Sequence, residues 1–320
     1  MKKLIYYISK TTPKKPEDVT VGIPRAMSYH EDGKLWENFF VGLGCNVILS
    51  PETNRSMLDE GVRNSSNETC LPVKVLAGHV LSLEDKADYI FIPRYVSTDK
   101  LEFSCPKFCG LPDMVRMSLK KDLPIMEVAV DFNNGMKKTN ESLKNVAETL
   151  KLDERFVRDT FISTVKNRIR PEMEAGVLDA DPEKPSIAVL GHPYMIHDGC
   201  MSLNLIKKLK SNHYQVLTPD NLGFSTKKKN AYPFSNTYFY GIGYENLGSA
   251  FTFASLPSLR GIIYLTPFAC GIDSLVTEFI ERHLKTVNES VPFMKLTVDE
   301  HTGEAGVDTR LEAFLDMIAI

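Results

Sequence analysis

A short apolar run ending in proline, followed by a helical length of chain, recurs along this sequence and limits the fold more than any other feature. Val21-Gly22-Ile23-Pro24 leads through a helix-like stretch to Val47-Ile48-Leu49-Ser50-Pro51-Glu52, and Leu190-Gly191-His192-Pro193 leads likewise to Gln215-Val216-Leu217-Thr218-Pro219-Asp220. Gly22 and Pro51 stand 29 positions apart, Gly191 and Pro219 28. The same ending returns in Ile90-Phe91-Ile92-Pro93 and Tyr264-Leu265-Thr266-Pro267. Self-similarity at this spacing implies two similar α/β domains.

Between the strands Val19–Ile23 and Val47–Leu49, the residues Leu35, Trp36, Phe39, Phe40 and Leu43 fall on one face of a helix, and Tyr89–Ile92 and Ile125–Val130 continue the strand series. Apolar strands separated by helical lengths build parallel sheets covered on both faces. The fold class expected is α/β with parallel sheets. A helix carrying Phe156, Phe161, Val165 and Ile169 runs into Pro- and Asp-rich sequence between Arg170 and Pro185. That division gives a first domain at residues 1–175 and a second at 185–320.

With 320 residues, 43% apolar and 25% charged, the chain can bury a large core. A formal net charge of −3 offers no general attraction to nucleic acid or acidic lipid. No segment approaches a membrane span, and the apolar run Leu4–Ile8 after Lys2-Lys3 is too short for a signal-peptide core. A reducing, cytoplasmic setting is therefore expected, where six cysteines at irregular spacing are thiols or ligands rather than disulfides.

Three of those cysteines sit in matching contexts: Glu68-Thr69-Cys70-Leu71-Pro72, Ser104-Cys105-Pro106-Lys107 and Pro267-Phe268-Ala269-Cys270-Gly271. Each reads as the first turn of a helix, where free N–H groups and the helix dipole favour a thiolate, an anionic ligand or an anionic metal cluster. Cys70 and Cys105 fall in the first domain and Cys270 in the second, so a shared site lies in the cleft between them. The chain has no C-x-x-C, and the nearest pair, Cys105 and Cys109, is spaced i,i+4. Structural zinc usually takes short-spaced ligand pairs; a thiolate-rich iron–sulfur site built from separate loops fits better. Cys109 is open to three readings: a fourth ligand, a spare thiol, or a core-facing partner of Phe108. Cys45 and Cys200 read as small hydrophobes.

His192 and His197 flank a strand-to-helix turn. A proton donor or cleft contact is one reading; the commoner one is a helix-start turn in which Asp198 caps and His192 satisfies backbone. His79 follows Gly78, which fits close packing. Glu300-His301-Thr302-Gly303-Glu304-Ala305-Gly306 forms a polar loop that either lines a site or merely connects. The catalytic candidates are His192, His301 and Glu304, and Lys74, Lys107 and Arg25 are candidates for steering anions.

The set Gly22-Ile23-Pro24-Arg25-Ala26, Glu68-Thr69-Cys70-x-Pro72-x-Lys74, Cys105-Pro106-Lys107-Phe108, Gly110-Leu111-Pro112-Asp113, Gly191-His192-Pro193-Tyr194, Cys270-Gly271-x-Asp273-Ser274 and Asp299 through Gly306 resembles the 2-hydroxyacyl-CoA dehydratase family, and within it the stand-alone proteins related to the dehydratase activase. The resemblance implies two flavodoxin- or Rossmann-like domains and a [4Fe-4S] cluster on Cys70, Cys105 and Cys270. Related double-cubane proteins hold a larger cluster, for which Cys109 and Cys200 would be spare thiols. It further implies a separate ATP-hydrolysing activator as partner, a homo- or hetero-dimer, and a small-molecule substrate. This chain has no Gly-rich phosphate loop of its own. The function expected is that of an iron–sulfur protein which accepts low-potential electrons from the activator and reduces a substrate at its cluster. A non-catalytic iron–sulfur carrier or scaffold and a dehydratase subunit are the alternatives; a protein holding zinc or no metal is a further class.

Overall fold

The computed structural model describes residues 15–98, 102–119, 123–133, 135–167, 181–231, 240–287 and 291–319. The first half runs β1 (Thr20–Ile23), α1 (Tyr29–Gly42), β2 (Asn46–Leu49), α2 (Arg55–Arg63), α3 (Leu71–Leu83), β3 (Tyr89–Phe91), β4 (Arg94–Ser97), α4 (Pro106–Cys109), α5 (Leu111–Leu119), β5 (Ile125–Met126), β6 (Ala129–Asp131), α6 (Lys137–Leu150) and α7 (Glu154–Lys166). The second half runs β7 (Ser186–Gly191), α8 (Pro193–His197), α9 (Leu205–Ser211), β8 (Gln215–Leu217), α10 (Phe224–Asn230), α11 (Gly241–Ala254), β9 (Leu259–Pro267), α12 (Gly271–Val287), β10 (Phe293–Val298) and α13 (Glu304–Ala319).

Each half is built on a four-stranded parallel sheet, ordered β2-β1-β3-β5 in the first and β10-β9-β7-β8 in the second. The α/β class and the parallel sheets are as the sequence pattern leads one to expect. The strand expected over Ile125–Val130 is broken in two. Pro93 has no N–H, so the β3–β5 ladder stops there; pairing resumes one step on as β4–β6, with the Arg94 N–H donating to the Val128 carbonyl at 3.0 Å. In α7 the buried face is Val157 and Phe161, while Phe156 is exposed. Ile169, the expected division near residues 175–185 for the most part, and the N-terminal run fall outside the described residues.

One apolar cluster joins Val21, Ile23 and Phe91 of the first sheet to Ile187, Val189, Ile263 and Leu265 of the second, with Trp36, Phe39 and Phe40 of α1 packed beneath. A second cluster, around Leu190, Tyr264 and Phe253, serves the second half alone. In the second sheet β7 and β9 run parallel, so both end on the same side, where His192 and the Phe268–Cys270 turn follow them. At the end of β7, Gly191 takes φ +142°, and a Cβ there would lie 2.3 Å from the Leu265 carbonyl oxygen. Only glycine lets the two strands lie this close just before His192. No helix among the described residues is long and apolar enough to cross a membrane.

Candidate metal centre

Each of the three cysteines singled out by its context stands at a helix start. Cys70 is the N-cap of α3, Cys105 the N-cap of α4, and Cys270 immediately precedes α12. Pro72 and Pro106 open the first two of these helices, where a missing N–H costs nothing. The first-turn amides close onto the cysteine carbonyls, Phe108 to Cys105 at 2.8 Å and Ser274 to Cys270 at 3.1 Å. Ala269 holds a left-handed φ of 63° and turns the chain out of β9 into Cys270.

The three sulfurs come from both halves, and each lies near enough to Tyr194 to act on it electrostatically. The Cys70 and Cys270 charges both bear on Cys105, and all three bear on the buried hydroxyl of Tyr194. Burial, and then the neighbouring sulfurs, push the Cys105 thiol up, with the Lys107 amide and His192 pulling the other way. Burial followed by the charges of Cys270, Asp273, Cys70 and Cys105 carries Tyr194 well above the usual phenol range, so it stays protonated. Its ring lies between Phe108, at 6.2 Å between centroids, and His192, stacked at 4.8 Å and 10°.

His192 is buried at 2% exposure beside Cys270. Its Nε2 lies 3.1 Å from Asp273 Oδ1 and 3.8 Å from Cys270 Sγ. Asp273 is held in turn by the hydroxyls of Tyr264 and Thr266, each donating at 2.8 Å. Burial alone would lower the His192 pKa; the Asp273 carboxylate and the Cys270 sulfur outweigh it and hold the ring well above its ordinary value. Asp273 moves the opposite way: burial works to raise it, and His192, Thr266 and Tyr264 bring it below the usual carboxylate range. Both acceptors face the same ring nitrogen, whereas a nucleophile–base–acid relay needs the acid on the other one. The trio is therefore not a hydrolytic triad. Among the described residues, His192 Nδ1 has no hydrogen-bond partner.

Three thiols at helix N-termini, with a buried imidazole beside Cys270, form a donor set that fits a soft, anionic metal group. Among the described residues, the one group of three potential ligand atoms lying within 4.8 Å of one another is His192, Cys270 and Asp273. The three sulfurs are thus spread more widely than the roughly 3.8 Å edge of a single tetrahedral zinc ion requires. A cavity of about 320 Å³ opens against Cys105 and His192, with Tyr95, Phe108, Glu102 and Asp220 in its wall.

The other candidates lie elsewhere or are occupied. Cys109 follows Cys105 by one helical turn, but its S–H donates to the Tyr95 carbonyl at 3.1 Å. Cys200 sits beside Asp198 in a different pocket, and Cys45 is core. His301 is exposed and Glu304 pairs with Lys208 at 2.8 Å; the member of that loop that reaches inward is Glu300, bound to Lys74 at 2.5 Å. Lys74, at 2% exposure, is thus part of the interior and steers nothing. Asp198 caps no helix start: it follows α8 and accepts from the amides of Cys200 and Met201 within a turn, while His192 faces the sulfur. Sequence reasoning missed Asp273 and Tyr194 as site residues. The signal for Asp273 was its place three residues after Cys270, one helical turn from the sulfur.

The fold is that of an α/β protein built on two four-stranded parallel sheets, with the two-stranded β4–β6 pair beside them. Residues 20–222, more than half of the chain, match the CoA enzyme activase uncharacterised domain (DUF2229), and the chain belongs to that family. No curated protein matches it. The family corrects the expected function: an activase domain belongs to the activating side of such systems, so the chain is not the iron–sulfur component that takes electrons from an activator and reduces a substrate.

Proposed function

We propose that this chain is an activating component of a CoA-enzyme system, holding an iron–sulfur cluster on Cys70, Cys105 and Cys270 and presenting it to a CoA-dependent partner enzyme. Supporting this reading is the electrostatic reach of three helix-start thiols, two from one half and one from the other, onto the same buried Tyr194 hydroxyl. Membership of the activase family supports the activating role. When bound, the cluster supplies storage for an electron at low potential. The chain's own residues do the rest. The helix starts at Cys70, Cys105 and Cys270 and the His192 imidazole offset negative charge. Cys105, pushed up while metal-free, has to lose its proton for the site to fill. Tyr194 and Phe108 wall the centre with rings. Nucleotide hydrolysis would belong to a second chain, because this sequence has no Gly-rich phosphate loop.

Anaerobic purification with iron and sulfide quantification tests the reading. Iron and sulfide should accompany the wild type, drop sharply in Cys70→Ser, Cys105→Ser and Cys270→Ser, and persist in Cys45→Ser and Cys200→Ser. Protein that stays free of iron after anaerobic reconstitution removes the cofactor assignment. A loaded, reduced protein that fails to activate a CoA-dependent dehydratase removes the role.

A further inference from the structure

We infer that His192, fixed by Asp273, is a positioning residue that donates its Nε2 hydrogen toward Cys270 Sγ and sets the electronic character of that ligand. The inference deepens the cluster reading above and rests on it for the loaded protein. His192 and Cys270 are 78 positions apart, brought together by β7 ending beside β9 and by the Gly191 backbone that lets them touch. The nitrogen faces the sulfur at 3.8 Å and the carboxylate at 3.1 Å. Asp273, 1% exposed, cannot swing away, because Tyr264 and Thr266 each hold one of its oxygens. The ring cannot rotate freely either, being stacked on Tyr194.

An N–H aimed at a ligating sulfur withdraws electron density from it and makes the attached group easier to reduce; hydrogen bonds to cluster sulfurs are a recognised lever on potential. Asp273 therefore acts through His192. It keeps the ring oriented and shares the same hydrogen, so its removal would free the N–H for the sulfur but loosen the ring.

Two variants test this in the full chain. His192→Phe keeps a ring for the Tyr194 stack and removes the donor, whereas His192→Gln retains a side-chain N–H. In protein reconstituted with iron and sulfide, His192→Phe should keep its iron, shift the midpoint potential to more negative values, and be returned toward wild type by His192→Gln. In metal-free protein, iodoacetamide alkylation of Cys270, followed by mass spectrometry, should slow about tenfold in His192→Phe once no N–H faces the sulfur. Unchanged potential together with an unchanged alkylation rate overturns the inference. Loss of iron from both folded variants overturns it as well, in favour of His192 as a direct ligand. If the wild type takes up no iron, the cluster reading fails and the alkylation rates alone decide the His192–Cys270 contact.

Discussion

Thr53 donates its hydroxyl hydrogen to Asp198, a residue 145 positions further along the chain, and in doing so ties the first half to the second. The bond is one link in a directed series. The Arg25 amide donates to Ser50 Oγ at 2.8 Å, and Ser50 is 2.7 Å from His79 Nδ1; on the other side, His79 Nε2 is 2.9 Å from Thr53 Oγ1. Each hydroxyl donates onward only if His79 is neutral with its hydrogen on Nε2. Burial, followed by the charges of His30 and Arg25, lowers His79 to about 3, which agrees.

Thr53→Val keeps the shape but strands the His79 N–H and an Asp198 oxygen. A loss of about 2–4 kcal/mol is expected in urea unfolding, with Thr53→Ser nearly neutral. Equal stability of the valine and serine variants would show that the link contributes nothing.

The pH dependence follows in sign from His79. Its folded pKa lies below the unfolded 6.5, so the unfolded chain binds the extra proton. This contribution is complete above about pH 6.5 and is lost as pH falls, at about 1.4 kcal/mol per unit, down to about pH 3. Compared with wild type, His79→Gln should show a stability curve flatter by one proton across that window.

Gly78 is the point where α3 touches α2, and a Cβ there would sit 2.0 Å from the Met57 carbonyl oxygen. Gly78→Ala must push the helices apart, and α3 carries Cys70 and Lys74. About 3 kcal/mol of stability should go, measurable by urea unfolding.

Trp36, the only tryptophan, donates its indole N–H to the Tyr95 hydroxyl at 3.0 Å, and that hydroxyl donates to Asp32 at 2.5 Å. In Tyr95→Phe the indole loses its acceptor in a buried setting. A changed Trp36 emission and a loss of about 2 kcal/mol are expected; unaltered fluorescence would argue against the bond.

The strand-to-proline endings and the α1 face of Trp36, Phe39 and Phe40 were legible in the sequence, since both follow from local period and backbone chemistry. Cys70 and Cys105 could be read as helix starts because Pro72 and Pro106 mark them. What could not be read is tertiary. Nothing local says that Asp273 will turn to His192, that Lys74 will disappear beneath Glu300, or that Pro93 will split its neighbour Ile125–Val130 by withholding an amide. The role expected of the chain was corrected by its family, since the residues speak of what the site can hold and not of which side of a transaction it serves.

The apolar cluster that runs from Val21 through Ile187 to Leu265 has an energetic meaning. Halves joined through so many side chains come apart only by exposing that apolar surface to water, so any hinge-like opening between the two sheets carries the cost of that exposure.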